Sequence, residues 1–137
     1  QFEVFMDDFQ ARFKSKKFTS WQQMAETLVL ASYEFYSLDK TNARLFLGVD
    51  AIMVVRKGAA SRLSRFAIWF CAQMEEQFCV DATPLREPIA ISINLIDGAF
   101  IRSLSLHEEI QAQYHDEALK AVLGYLSSHL PSSLSVK

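Results

Sequence analysis

The side chains able to do chemistry are three histidines, two cysteines and one carboxylate, and their spacing decides what they can do. His107, His115 and His129 fall in the last third of the 137-residue chain. No H-E-x-x-H occurs, and no Glu-x-x-His pairs suggest a di-iron bundle. Placed near helix ends, the histidines read as capping or dipole-facing cations. Cys71 and Cys79 stand eight apart in an apolar run with no C-x-x-C, which reads as two reduced, buried thiols in a reducing compartment. The glycines form neither a nucleophile elbow nor a phosphate-binding loop. These absences point away from an enzyme and call for neither metal nor cofactor.

Asp97 is different, because it is the one charge inside the most apolar segment. A buried carboxylate persists only when paired, so the expected partner is Arg102 or a backbone N–H beside Gly98. That expectation gives Asp97 a structural role in preference to the alternative, a ligand or cross-dimer contact.

The elements that hold these groups read as helices throughout. Four glycines and three prolines are few for a chain of this length, which argues against a turn-rich sandwich or barrel. Phe2, Phe5, Met6, Phe9 and Phe13 recur every three or four residues and predict a helix over 2–15. Thr19-Ser20 offers an N-cap for a second helix over 20–37, whose stripe is Trp21, Met24, Ala25, Leu28, Ser32 and Phe35. A third piece opens at Arg44, and Ile52 to Val55 reads as helix despite its β-branched residues. Gly58 then separates off a helix over 59–79 striped by Leu63, Phe66, Ala67, Phe70, Met74 and Phe78. Pro88 suits the first turn of a helix reaching Leu106, and a last helix covers 113–129. About six helices in one all-α domain is the expected architecture.

Over 89–104 the apolar positions take in almost the whole circumference, so that helix must be covered on more than one side. Ala118, Ala121, Tyr125 and Ser128 give the last helix a second, small-residue side that another helix can approach closely. A homodimer joined through an intermolecular four-helix bundle satisfies both features. The contacts expected in it are Ile93, Ile96, Phe100, Ala118, Ala121, Val122, Tyr125 and Leu126.

Ile96-Asp97-Gly98-Ala99-Phe100-Ile101-Arg102-Ser103-Leu104, followed by Asp116-Glu117-Ala118-Leu119-Lys120-Ala121-Val122-Leu123-Gly124-Tyr125-Leu126, resembles the end of a TetR-family transcriptional regulator. The likeness lies over 96–131, and helix order and length over 1–95 are compatible with it. It implies a regulatory domain that dimerises through its last two long helices, most often a repressor relieved by ligand. Helix 2–15 resembles the connecting helix of that family, so a helix-turn-helix of roughly 50 residues is expected upstream of this chain. Operator DNA would be met only through that domain. A formal net charge of -2 fits a chain that does not bind DNA by itself.

A sensor of this kind needs polar handles within apolar walls. Ser32, Gln73 and Asn94 interrupt apolar stripes on three helices and are the candidate handles, with Met24, Leu28, Tyr36, Phe66, Phe70 and Met74 as walls. Such walls suit a small apolar or aromatic effector. No stretch reaches about 18 uninterrupted apolar residues, and the expected setting is cytoplasmic, without a membrane. The rival reading is a self-contained helical module whose last hairpin binds another protein.

Overall fold

The computed structural model describes residues 2–38, 41, 43, 47 and 53–137, the side chains of 2–5 and 53–60 excepted. It is all-helical. Five α-helices stand among the described residues, α1 Phe2–Lys14, α2 Trp21–Leu38, α3 Met53–Gln77, α4 Arg86–His107 and α5 Ala112–Leu126, with a 3-10 turn Thr83–Leu85 before α4. The expected helical piece opening at Arg44 falls largely outside the described residues.

Local signals set most boundaries. The Ser20 hydroxyl accepts from the Gln23 N–H at 3.2 Å and caps α2, while the Gln23 side chain reaches back to the Thr19 N–H at 2.9 Å. This is a near relative of the capping box. α4 ends at Glu108, which takes a left-handed conformation with φ 59° and donates its N–H to the Leu104 carbonyl at 2.9 Å. Ser103 secures the turn into α5: its buried hydroxyl donates to the Glu109 carbonyl at 2.7 Å and accepts from the Gln111 N–H at 2.9 Å.

Both ends of α3 differ from the sequence pattern, and α5 stops at Leu126 rather than at 129. α3 runs straight through Gly58, because one helical glycine costs only about 1 kcal/mol relative to alanine and a long helix absorbs it. The same helix stops at Gln77 rather than at 79. Phe78 instead forms an isolated antiparallel bridge with Val136. The thiols differ from expectation for the same reason: both are free, but Cys79, beyond the helix end, is exposed while Cys71 is buried.

The core forms where α4 packs on α5, α3 and α2, and where α2 meets α5. Phe9, Phe13, Trp21, Met24, Met74, Phe78, Ile96, Phe100 and Val122 are among its best-buried members. At one end the rings of Phe9, Phe13, Phe66, Trp69 and Phe70 interlock, with centroids 4.6–6.1 Å apart. Such tilted and edge-on pairs add to the burial of their apolar surface. Arg12 ties α1 to α2 through Glu34 at 3.2 Å, with Asp8 on its own helix also at 3.2 Å.

The C-terminal tail closes the structure. The Trp21 indole donates to the Pro131 carbonyl at 2.8 Å and Gln22 Nε2 to the Ser132 carbonyl at 2.9 Å. Gln77 joins three segments. Its Oε1 accepts from the Phe18 N–H at 2.7 Å, its Nε2 donates to the Lys16 carbonyl at 3.4 Å, and its own carbonyl accepts from the Lys137 N–H at 2.9 Å.

By length and composition the segment Thr83–His107, whose most apolar 18 residues have a mean hydropathy of 1.4, is long and apolar enough to cross a membrane. In the fold it is the helix that α2, α3 and α5 all touch.

Candidate functional site

α2 and α4 bring the half-buried carboxylate of Asp97 against a phenol. The Tyr36 hydroxyl donates to Asp97 Oδ1 at 3.3 Å. Helical geometry explains the meeting: Tyr36 lies one turn beyond Ser32 on α2, and Asp97 flanks the Ile96–Phe100 stripe of α4. Phe100 and Tyr33 complete the surround. The Tyr36 and Phe100 rings meet edge-on at 6.0 Å, and Tyr33 lies 6.2 Å from Phe100. Phe35 stands edge-on to Tyr36 at 5.3 Å.

The electrostatics follow from this enclosure. Loss of water pushes the Asp97 carboxyl up to about 7, partly opposed by the Tyr36 hydrogen bond. The Tyr36 hydroxyl is held well above its ordinary value, by burial first and then by the neighbouring carboxylate. Among the described residues no cation lies within ion-pair distance of Asp97, and Tyr36 is its hydrogen-bond partner. The expected pairing with Arg102 does not form, because that side chain is exposed on the outer side of α4.

The expected handles and walls separate into different places. Met24, Leu28, Phe66, Phe70 and Met74 are buried core residues. Phe66 and Phe70 belong to the interlocked ring cluster, where neighbouring rings occupy the space beside them. Ser32 is buried but donates to the Leu28 carbonyl of its own helix at 2.9 Å, the usual way a helical serine satisfies itself. Gln73 is half-buried. Asn94 is exposed, so it is corrected from an inward handle to a residue of the outer strip. The apolar flanks of Ile93 and Leu95 disguised its direction in the sequence. Of the nine candidates, Tyr36 is the one that meets the carboxylate.

The hairpin residues divide similarly. Ile96, Phe100, Ala118, Val122 and Leu126 are buried within the single chain, so their packing is used in holding α4 to α5 and is corrected from partner contact to core. Ile93 and Tyr125 are half-buried and Ala121 is exposed. The outer strip of α4 carries Glu87, Asn94, Gly98, Arg102 and Ser105. Thus the circumference is less greasy than the run of isoleucines suggests.

Each histidine sits beside a tyrosine ring: His107 by Tyr114 at 5.8 Å, His115 by Tyr33 at 5.4 Å and His129 by Tyr125 at 5.0 Å. Among the described residues no three His, Cys, Asp or Glu side chains gather to hold a metal ion. Sequence reasoning singled out Asp97 but sent it to the wrong partner, and it placed Tyr33 at the edge of the α2 stripe without counting it among the site residues. The retrievable signal was the pair of tyrosines spaced 33 and 36 at the edge of the α2 stripe.

No protein-family model, curated protein or solved structure matches this chain, so its reading rests on the residues and the geometry set out above.

Proposed function

We propose that this chain is the effector-binding and dimerisation domain of a TetR-like transcriptional regulator, with DNA recognition residing in a helix-turn-helix encoded upstream. The observation that carries the reading is the α4–α5 hairpin. Its inner face is spent in the core, and its outer face keeps small residues at the positions a second hairpin would approach. A Cβ built on Gly98 or on Gly124 would meet nothing within 4 Å. Ala121 is exposed beside Gly124, and Leu106 is 55% exposed at the end of α4. Two such faces related by a two-fold axis interdigitate at close helix spacing.

The regulatory mechanism follows from linkage. The dimer would set two recognition helices about 34–36 Å apart to match successive turns of a palindromic operator. An effector that prefers the conformation with another spacing weakens DNA binding, by as much as its affinity differs between the two states. α1 would be the lever, since its end is tied to α2 by Arg12 and Glu34 and its exit loop to α3 by Gln77.

Sedimentation equilibrium tests the assembly. A dimer of 15.6 kDa subunits at micromolar concentration is expected, and a monomer there would remove the two-fold bundle. Translating the gene upstream of Gln1 tests the rest: a basic helix-turn-helix is expected. A hairpin that instead captured a different protein, with no such upstream segment, would favour a stand-alone interaction module.

A further inference from the structure

We propose that residues 131–137 are a detachable ligand of their own fold, seated in a site for an extended peptide segment, and that the same segment of a second copy takes that seat in exchange. The exchange involves neither the outer face of the α4–α5 hairpin nor an effector, so it is independent of the regulator reading.

The seat is built by the start of α2 and the end of α3. Trp21 Nε1 donates to the Pro131 carbonyl at 2.8 Å and Gln22 Nε2 to the Ser132 carbonyl at 2.9 Å. Further along, the Cys79 N–H donates to the Ser135 carbonyl at 2.8 Å and the Lys137 N–H to the Gln77 carbonyl at 2.9 Å, on either side of the Phe78–Val136 bridge. All four bonds use main-chain groups of the segment, and the last two have the pattern of an added antiparallel strand. When a fold takes up an extended peptide, such main-chain pairing supplies affinity and a seated side chain supplies specificity. Leu134, half-buried against the core, is that side chain.

The hold is slight for a segment of this length. The turn that closes α5 ends at Leu130, which is buried and donates its N–H to the Leu126 carbonyl at 2.9 Å. Beyond it Pro131, Ser132, Ser133, Ser135, Val136 and Lys137 are all exposed, Val136 by 56%. Four hydrogen bonds and one half-buried leucine have to offset the ordering of the whole extended segment. It can therefore leave while the core stays folded. The seat is also imperfectly filled, because Gln22 Oε1 is buried without a hydrogen-bond partner, a cost that the docked state carries.

The occupant whose fit is already visible is this segment, and a second copy carries it. A trade between copies keeps every contact just described, opposed only by the high local concentration of the tethered segment.

A fluorescein-labelled peptide of residues 130–137, standing in for the second copy's segment, is titrated against the full chain by anisotropy. The tethered segment competes with it, so spoiling the tether's fit should strengthen binding. The Leu134→Asp chain is expected to bind the wild-type peptide at least about 10-fold more tightly than the wild-type chain does. A peptide carrying that same change should bind neither. Ser133→Gly, at an exposed position outside the core, loosens the tether through backbone entropy alone and should raise the affinity about twofold or more with the fold untouched. Amide exchange of the unaltered chain reads the opening directly: the Cys79 and Lys137 N–H groups are expected to exchange together, at least about 100-fold faster than those of Ile96 and Phe100.

No peptide binding to either variant at millimolar concentration, equal binding to variants and wild type, a scrambled peptide bound as tightly, or Cys79 and Lys137 exchanging only at the rate of the core would each overturn the exchange. The regulator reading falls separately, on a missing upstream helix-turn-helix.

Discussion

Tyr36 and Asp97 hold one another across the gap between α2 and α4, the phenol donating to Oδ1 at 3.3 Å. Loss of water raises the titration of both groups. Its energetic signature is a dependence of stability on pH.

Asp97 titrates near 7 in the folded protein and near 3.8 when unfolded. The folded state therefore holds the proton more tightly. The stability this confers is complete below about pH 4, falls as pH rises toward 7, and is gone above it. Integrated over that window the loss is roughly 4 kcal/mol, taking about 1.36 kcal/mol for each unit of difference. Tyr36 is the titratable group that faces Asp97 from α2, and His115 of α5 lies one ring further, against Tyr33. Urea unfolding at pH 5 and pH 8 is expected to show the decline in the wild type and to show it flattened in Asp97→Asn. Tyr36→Phe, which removes the one hydrogen bond favouring the charged form, should move the titration further up.

Ser103 offers a test of the α4–α5 turn. Its hydroxyl both donates to the Glu109 carbonyl and accepts from the Gln111 N–H, with no exposure to water. Ser103→Ala leaves two backbone groups without that partner and should cost about 2 kcal/mol. Ser103→Thr, which keeps the hydroxyl but adds a methyl to a packed site, should recover only part of it. Thermal unfolding of the three proteins at one concentration decides the order.

Gly98 and Gly124 distinguish the lone chain from the assembly. Within one chain there is open space at both positions, so alanine should stabilise each helix by roughly 0.5–1 kcal/mol. Leucine at both positions should leave helical circular dichroism unchanged yet halve the sedimenting mass, by holding the two hairpins apart. A dimer untouched by Gly98→Leu with Gly124→Leu would place the partner elsewhere.

The two thiols should differ in reactivity. Cys71 is buried, and desolvation pushes its thiol up to about 11, against a smaller opposing pull from Arg86. Cys79 is exposed. Because the thiolate is the reacting species, native alkylation at pH 8 followed by mass spectrometry is expected to find one label, on Cys79, with the second appearing only on denaturation. Rapid labelling of both would show that α3 opens readily.

The sequence was most informative where periodicity and local hydrogen bonding agreed. The Ser20 cap, the Met24–Leu28–Ser32 stripe and the burial of Phe66, Phe70 and Met74 all follow from side-chain types three or four apart. What escaped it has a common physical cause. Asn94, flanked by apolar neighbours, looks interior in one dimension, but the turn of the helix carries it outward. Phe100 reads equally well as partner contact or core, since an apolar surface is indifferent to what covers it. The choice of Tyr36 over Arg102 as partner to Asp97 is a long-range one, made by how α2 crosses α4 and invisible to spacing along either helix.

Gln77 has a consequence for the order of events during synthesis. The amide that clasps Lys16 and Phe18 sits in a residue whose carbonyl is taken by Lys137, and Trp21 waits for Pro131. On a translating ribosome the Trp21 indole therefore stays without its acceptor until Pro131 has emerged from the exit tunnel. Nascent chains stalled short of that point should expose the Trp21 indole to nascent-chain binders, and chains extended beyond it should hide it.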